Sequence, residues 1–175
     1  MQNMITKMGK ETMIEDFNST KHLNWEVIND GVMGGISESN FQIKPDQTAV
    51  FSGRVSLENN GGFASVRASL RESVSGNFEK IAIRVKGDGK IYSLRIRTEQ
   101  NFDGVAYACS FLSIKDEWTG HEFSPAEFVP TFRGRTLSNV PPLNNLNISH
   151  IGFLISGKQS GSFGLIIDWI KITLL

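Results

Sequence analysis

Residues 63–70 separate, position by position, into two sets: Ala64, Val66, Ala68 and Leu70 alternate with Phe63, Ser65, Arg67 and Ser69. Strict period-two alternation is the pattern of a strand with one buried face. It excludes a helix, whose apolar positions return every three or four residues. The same period recurs along the chain, in Trp25 and Val27, Phe41 and Ile43, and Phe51, Val55 and Leu57. It returns in Ile81, Ile83 and Val85, and in Tyr92, Leu94 and Ile96, whose other face carries Ser93, Arg95 and Arg97. Further strands are expected at residues 105–112, 118–123, 148–155 and 163–172, the last two apolar enough to be central. No segment has a sustained helical period, although Pro125 suits the first position of a short helical turn. Many short strands separated by glycine turns predict an all-β fold, an antiparallel β-sandwich. Gly87-Asp88-Gly89 and residues 157–161 are expected to close hairpins.

Two glycine clusters interrupt the strands. Residues 29–37 read Asn-Asp-Gly-Val-Met-Gly-Gly-Ile-Ser, and residues 59–67 read Asn-Asn-Gly-Gly-Phe-Ala-Ser-Val-Arg. Clustered glycines mark a turn or a close backbone approach. Asp30, Met33, Gly34 and Gly35 in the first, with Asn60, Gly61, Gly62, Phe63 and Arg67 in the second, are the candidate partner- or ligand-binding residues. The alternative is that the two loops interlock and close one end of the sandwich, with Asp30 accepting backbone N–H bonds. Arg67, Arg95 and Arg97 sit among serines on the polar faces of their strands. If those strands share a sheet, they form a basic, hydroxyl-lined face suited to a sugar, an acidic group or a partner protein.

Length suits one domain, expected over residues 13–175 after a flexible N-terminal stretch at 1–12. The 18 basic and 18 acidic residues cancel, which argues against a nucleic-acid partner. A single cysteine, Cys109, rules out an intrachain disulfide. No apolar run is long enough to span a bilayer, and the first residues lack the apolar core of a signal peptide and the arginines of a transit peptide. The expected location is the cytoplasm.

The motifs of catalysis are missing. His22, His121 and His150 have no metal-binding spacing. There is no Gly-x-Ser-x-Gly elbow, and Gly157-Lys158-Gln159-Ser160-Gly161 lacks the order of a phosphate loop. No dinucleotide fingerprint is present, so no cofactor is expected. Asp168 stands inside the apolar run 165–172 and, in a regular strand, shares a face with Ile166 and Ile170. Such a carboxylate needs a partner, with an arginine the first expectation. Asp16 and Asp168 are the residues that would otherwise hold a structural calcium.

Taken in order, several blocks carry a resemblance. They are Trp25 with the glycine stretch 29–37, Phe51-Ser-Gly53, residues 59–67, Lys86-Gly-Asp-Gly-Lys-Ile-Tyr92, Phe132-Arg-Gly-Arg135, Ile151-Gly-Phe-Leu-Ile155 and Gly161-Ser-Phe-Gly-Leu-Ile-Ile-Asp-Trp169. This chain resembles the complex I intermediate-associated protein family, in its free-standing bacterial form. The resemblance implies a galactose-binding-like sandwich, or jelly roll, close to carbohydrate-binding modules. It also implies a non-enzymatic, chaperone-like assembly factor for a membrane-associated, respiratory NADH dehydrogenase-like complex, whose partners are subunits of that complex. A carbohydrate-binding module is the alternative, with Trp25, Trp118 and Tyr92 as candidate sugar platforms.

Overall fold

The structure is a computed structural model that describes residues 9–98, 104–143 and 147–175. Thirteen strands form within them: β1 (Lys10–Glu15), β2 (Trp25–Asn29), β3 (Glu38–Ile43), β4 (Ala49–Val55), β5 (Ala64–Val74), β6 (Phe78–Lys86), β7 (Ile91–Thr98), β8 (Ala106–Leu112), β9 (Trp118–Phe123), β10 (Val129–Phe132), β11 (Arg135–Thr136), β12 (Ile148–Ile155) and β13 (Gly161–Leu174). Short 3-10 turns lie at Asp30–Met33, Glu58–Asn60 and Pro125–Glu127, the last where the proline predicts one. No helix among the described residues is long and apolar enough to cross a membrane.

The strands make two antiparallel sheets. One has six strands, in the order β3-β4-β13-β6-β9, with β1 alongside the C-terminal half of β13. The other has seven, in the order β11-β10-β8-β7-β12-β5-β2. The chain is all-β, a sandwich of the galactose-binding-like, jelly-roll kind, and β12 and β13 are central, as their apolar character predicts. Between the sheets pack Ile81, Ile83 and Val85 from β6, Leu94 and Ile96 from β7, Phe153 from β12, and Leu165 and Ile167 from β13, all buried. Burying side chains of this size stabilises by about 1.5–3 kcal/mol each. β1 begins at Lys10, so ordered pairing with β13 reaches into the stretch expected to be frayed; residues 1–8 lie outside the described ones.

Two expected hairpins are crossovers instead. β6 belongs to the six-stranded sheet and β7 to the seven-stranded one, so Gly87-Asp88-Gly89 carries the chain between sheets. The step from β12 to β13 does the same through residues 157–161. Crossovers leave backbone N–H groups outside the ladders, and those groups need acceptors. Buried or part-buried carboxylates supply them. Asp88 accepts the N–H of Lys90 at 3.0 Å and of Gly164 at 2.9 Å, and the Tyr92 hydroxyl at 3.0 Å. Glu15, 2% exposed, accepts the N–H of Phe17 (2.9 Å) and of Leu23 (2.7 Å) and the Trp25 indole N–H (2.9 Å).

Asp168 departs from the regular-strand expectation. The register against β6 shifts between Ile167 and Trp169, so both Ile167 and Ile170 are buried and Asp168 is not on their face. The extra residue of a bulge changes the phase of the strand. Asp168 pairs with Arg84 at 2.6 Å, the arginine partner expected for it. The Asp16 carboxylate accepts the N–H of Asn18 at 3.1 Å, a local Asx turn. Among the described residues, no three of His, Cys, Asp and Glu gather as a metal site would require.

Candidate functional site

The two glycine clusters meet at Asp30, which is 0% exposed. Its Oδ1 accepts the Ser37 N–H at 2.9 Å. Its Oδ2 accepts the Ser37 hydroxyl at 2.5 Å and the N–H groups of Gly62 and Phe63 at 2.7 and 3.3 Å. Ser37 Oγ in turn accepts the Ser56 N–H at 2.9 Å. One carboxylate thus ties the end of β2, the loop into β3 and the loop into β5. The glycines make room for it: a Cβ on Gly35 would stand 2.3 Å from the Asp30 carboxyl carbon, and one on Gly61 2.6 Å from Oδ2. Gly34 ends the 3-10 turn in the left-handed region, at φ 87°. Burial works to raise the Asp30 pKa, but the hydrogen bonds from Ser37, Gly62 and Phe63 outweigh it and hold the carboxyl below its usual value. A carboxylate whose oxygens are this fully engaged is a latch, with little capacity left for a ligand. The side chains of Met33 and Asn60 lie outside the described residues.

The arginines form the second constellation. β5 and β7 flank β12 in one sheet, and the register sets Glu26, Arg67, Gly152, Arg95 and Ala108 in one row across five strands. The next row holds Ser69, His150, Arg97 and Ala106. Alternation puts both rows on the outer face, opposite the core residues Val66, Phe153 and Leu94. Arg67, Arg95 and Arg97 therefore come together as the serine-flanked pattern predicts. Phe63, half-buried just before β5, precedes the strand in the same polar phase. Arg97 donates to the Gly104 carbonyl at 2.9 Å. Arg95 is pushed down to about 10 by burial and by the charges of Arg97 and Arg67. His150 is lowered by burial and by Arg67 and Arg97, with Glu26 opposing. Beside these rows lies a cleft of about 340 Å³ lined by His22, Asn24, Glu26, Arg67, Ser69 and His150.

Further along the same face the character changes. Ser93 pairs with Ser110, and Ile91 pairs with Leu112, which are 50% and 59% exposed. The surface grades from basic through hydroxyl-lined to apolar. The candidate sugar platforms are elsewhere. Tyr92 is buried, Trp25 stacks on Phe41 at 4.9 Å inside the sandwich, and Trp118 carries the Arg84 guanidinium 4.4 Å above its ring.

Gly152, His150 and Glu26 were not legible as site residues. A glycine inside an apolar central strand was the available signal, because it marks a close backbone approach. A Cβ on Gly152 would stand 2.4 Å from the Val66 carbonyl oxygen.

Solved structures share this architecture. The family 11 carbohydrate-binding module of the cellulase Lic26A-Cel5E of Clostridium thermocellum is 19% identical, with TM-score 0.70, over 95% of this chain and 96% of that one. The Clostridium thermocellum family 11 module in complex with a β-1,3-1,4-mixed-linked tetrasaccharide is also 19% identical, with TM-score 0.68, over 97% and 98%. At such identities the likeness is one of fold. Among curated proteins, the mitochondrial Complex I intermediate-associated protein 30 of Drosophila melanogaster is 22% identical over 97% of this chain and 65% of its own length. That of Mus musculus is 25% identical over 94% and 57%. The chain thus spans roughly two thirds or less of these relatives. The family model for Complex I intermediate-associated protein 30 (CIA30) matches residues 15–167, and the chain belongs to that family.

Proposed function

We propose that this chain is a non-enzymatic binding module that docks, from the cytoplasm, on subunits of a respiratory NADH dehydrogenase-like complex during its assembly. Membership of the family, whose relatives are named for association with complex I intermediates, supports the partner class. The observation that carries the binding reading is the graded outer face of the seven-stranded sheet. Ile91 and Leu112 supply exposed apolar contact, and Arg67, Arg95 and Arg97 supply directional charge. Apolar anchors beside arginine are the composition of protein interfaces. The buried carboxylates Asp30 and Glu15 are spent on backbone donors, which leaves them poorly suited to acid–base work.

Carbohydrate binding is the second reading, supported by the shared fold. It is the lesser one, because the three candidate platforms are engaged: Tyr92 is buried, Trp25 stacks on Phe41 and Trp118 is covered by Arg84. Affinity capture from detergent-solubilised membranes tests the two together with a glycan array. Enrichment of NADH dehydrogenase subunits over a control sandwich domain is the expected result. Absence of those subunits, with selective retention of a glycan, would overturn the proposal in favour of the second reading.

A further inference from the structure

We infer that Arg95 is the centre of a carboxylate-binding point, and that its ligand is an acidic side chain on an apolar-flanked segment of the protein partner. The inference rests on the binding-module reading and names the chemistry of that face.

The surroundings of Arg95 carry it. Its neighbours in the row are Gly152 on one side and Ala108 on the other, so the positions directly opposite it on the adjacent strands carry no polar side chain, and His150 and Ser110 lie on the diagonals. Gly152 cannot be enlarged without meeting Val66 and Arg67. Adjacent strands lie about 4.8 Å apart, which places the Arg67 and Arg95 backbones about 10 Å from one another across Gly152. Gly152 and His150 are buried between the arginines. The charges that Arg95 feels are Arg97 and Arg67, both of its own sign. Among the described residues the ion pairs are Lys80–Glu122, Arg84–Asp168 and Lys171–Glu11, and none reaches Arg95. Among the described residues, the register places one acid in these two rows, Glu26, at the far end beyond Arg67, where it acts on His150.

A half-buried guanidinium beside two like charges is costly unless an anion completes it. The planar fork of arginine matches a carboxylate with two parallel hydrogen bonds. The rest of the face selects the source of that carboxylate. Ile91 lies four residues along β7 from Arg95, about 13 Å at the rise of a strand. Ile91 and Leu112 would meet apolar side chains at that distance, which a polypeptide presents and an acidic sugar or free phosphate does not.

The test uses the full chain and a synthetic twelve-residue peptide with an isoleucine–leucine end and a glutamate–aspartate end. A control peptide has the acids replaced by their amides. Fluorescence anisotropy should show the acidic peptide bound at least about tenfold more tightly than its amide counterpart. Arg95→Gln should lose about tenfold or more, Arg95→Lys most of that, and Lys44→Gln, in the turn after β3 of the opposite sheet, nothing. Without peptide, Arg95→Gln should melt no lower than the wild type, since it removes a desolvated like charge. Undiminished binding by Arg95→Gln, an equal loss in Lys44→Gln, or a clear drop in melting temperature on Arg95→Gln would each overturn the inference. Tighter binding of oligogalacturonate or inorganic phosphate than of the peptide would overturn it too. Capture of NADH dehydrogenase subunits that survives in Arg95→Gln, with no peptide binding, sinks this inference alone. Peptide binding without any such capture by the wild type sinks the assembly reading and leaves the carboxylate point standing.

Discussion

Replacing Asp30 by alanine removes the acceptor of four hydrogen bonds at once, and it does so where the two glycine loops meet. A buried donor left without an acceptor costs about 1–3 kcal/mol. The four costs will not add in full, because they share one acceptor and the loops relax together. We expect a loss of about 3–5 kcal/mol, the size seen when one member of a buried charged network is removed. For a domain of this length each kcal/mol lowers Tm by about 2–4 °C, so Tm should fall by roughly 6–20 °C. Asp30→Asn keeps an oxygen for the donors at Oδ2 but turns an amide toward the Ser37 N–H, and should lose about 1–3 kcal/mol. The pH dependence has a definite sign. The folded-state pKa of Asp30 lies below the unfolded one, so its contribution is present above about pH 4 and is lost as pH falls through the folded value. Asp30→Asn should flatten that acid limb. Urea unfolding followed by circular dichroism and tryptophan fluorescence measures both effects. A loss below about 1 kcal/mol in Asp30→Ala at neutral pH, or an unchanged acid limb in Asp30→Asn, would refute the latch.

Gly35→Ala and Gly61→Ala should each destabilise by about 1–3 kcal/mol, because the new methyl meets the Asp30 carboxylate; thermal melts read this directly. Glu15→Gln turns an amide N–H2 toward backbone donors and should destabilise the β1–β2 crossover, with a red-shifted Trp25 emission as the local signature. His150 should titrate below its ordinary value by NMR. A depressed histidine stabilises above about pH 6.5 and loses that contribution as pH falls through the folded value, so His150→Gln should reduce the loss of stability on mild acidification. Arg84→Gln should cost less than about 1 kcal/mol, since its pair with Asp168 is 39% and 29% exposed; a larger loss in chemical unfolding would contradict that reading.

What the sequence made legible follows from the range of the interactions involved. Alternation at residues 63–70 and 92–97 reports which side of a strand is buried, so the two-faced strands and the gathering of Arg67, Arg95 and Arg97 could be anticipated. Turn chemistry is equally local, and it reports that the chain reverses without saying into which sheet. Gly87-Asp88-Gly89 therefore read as a hairpin, although Asp88 holds β6 and β7 in different sheets. The bulge at Asp168 was hidden for a related reason: one extra residue changes the strand's phase without changing its composition. Glu15 carries no local signal of its role, because its donors come from residues two, eight and ten positions on. The place of Gly152 between two arginines depends on a register that joins strands far apart in sequence.

The central claim is that the outer face of the seven-stranded sheet is the docking surface. Photo-crosslinking tests it most directly, with benzoylphenylalanine placed at Ser93 on that face or at Ser52 on the outer face of the six-stranded sheet. Each folded variant would be incubated with solubilised membranes that hold partly assembled NADH dehydrogenase. The account predicts crosslinks to its subunits from Ser93 and none above background from Ser52. Equal crosslinking from both positions, or crosslinking from Ser52 alone, would contradict it.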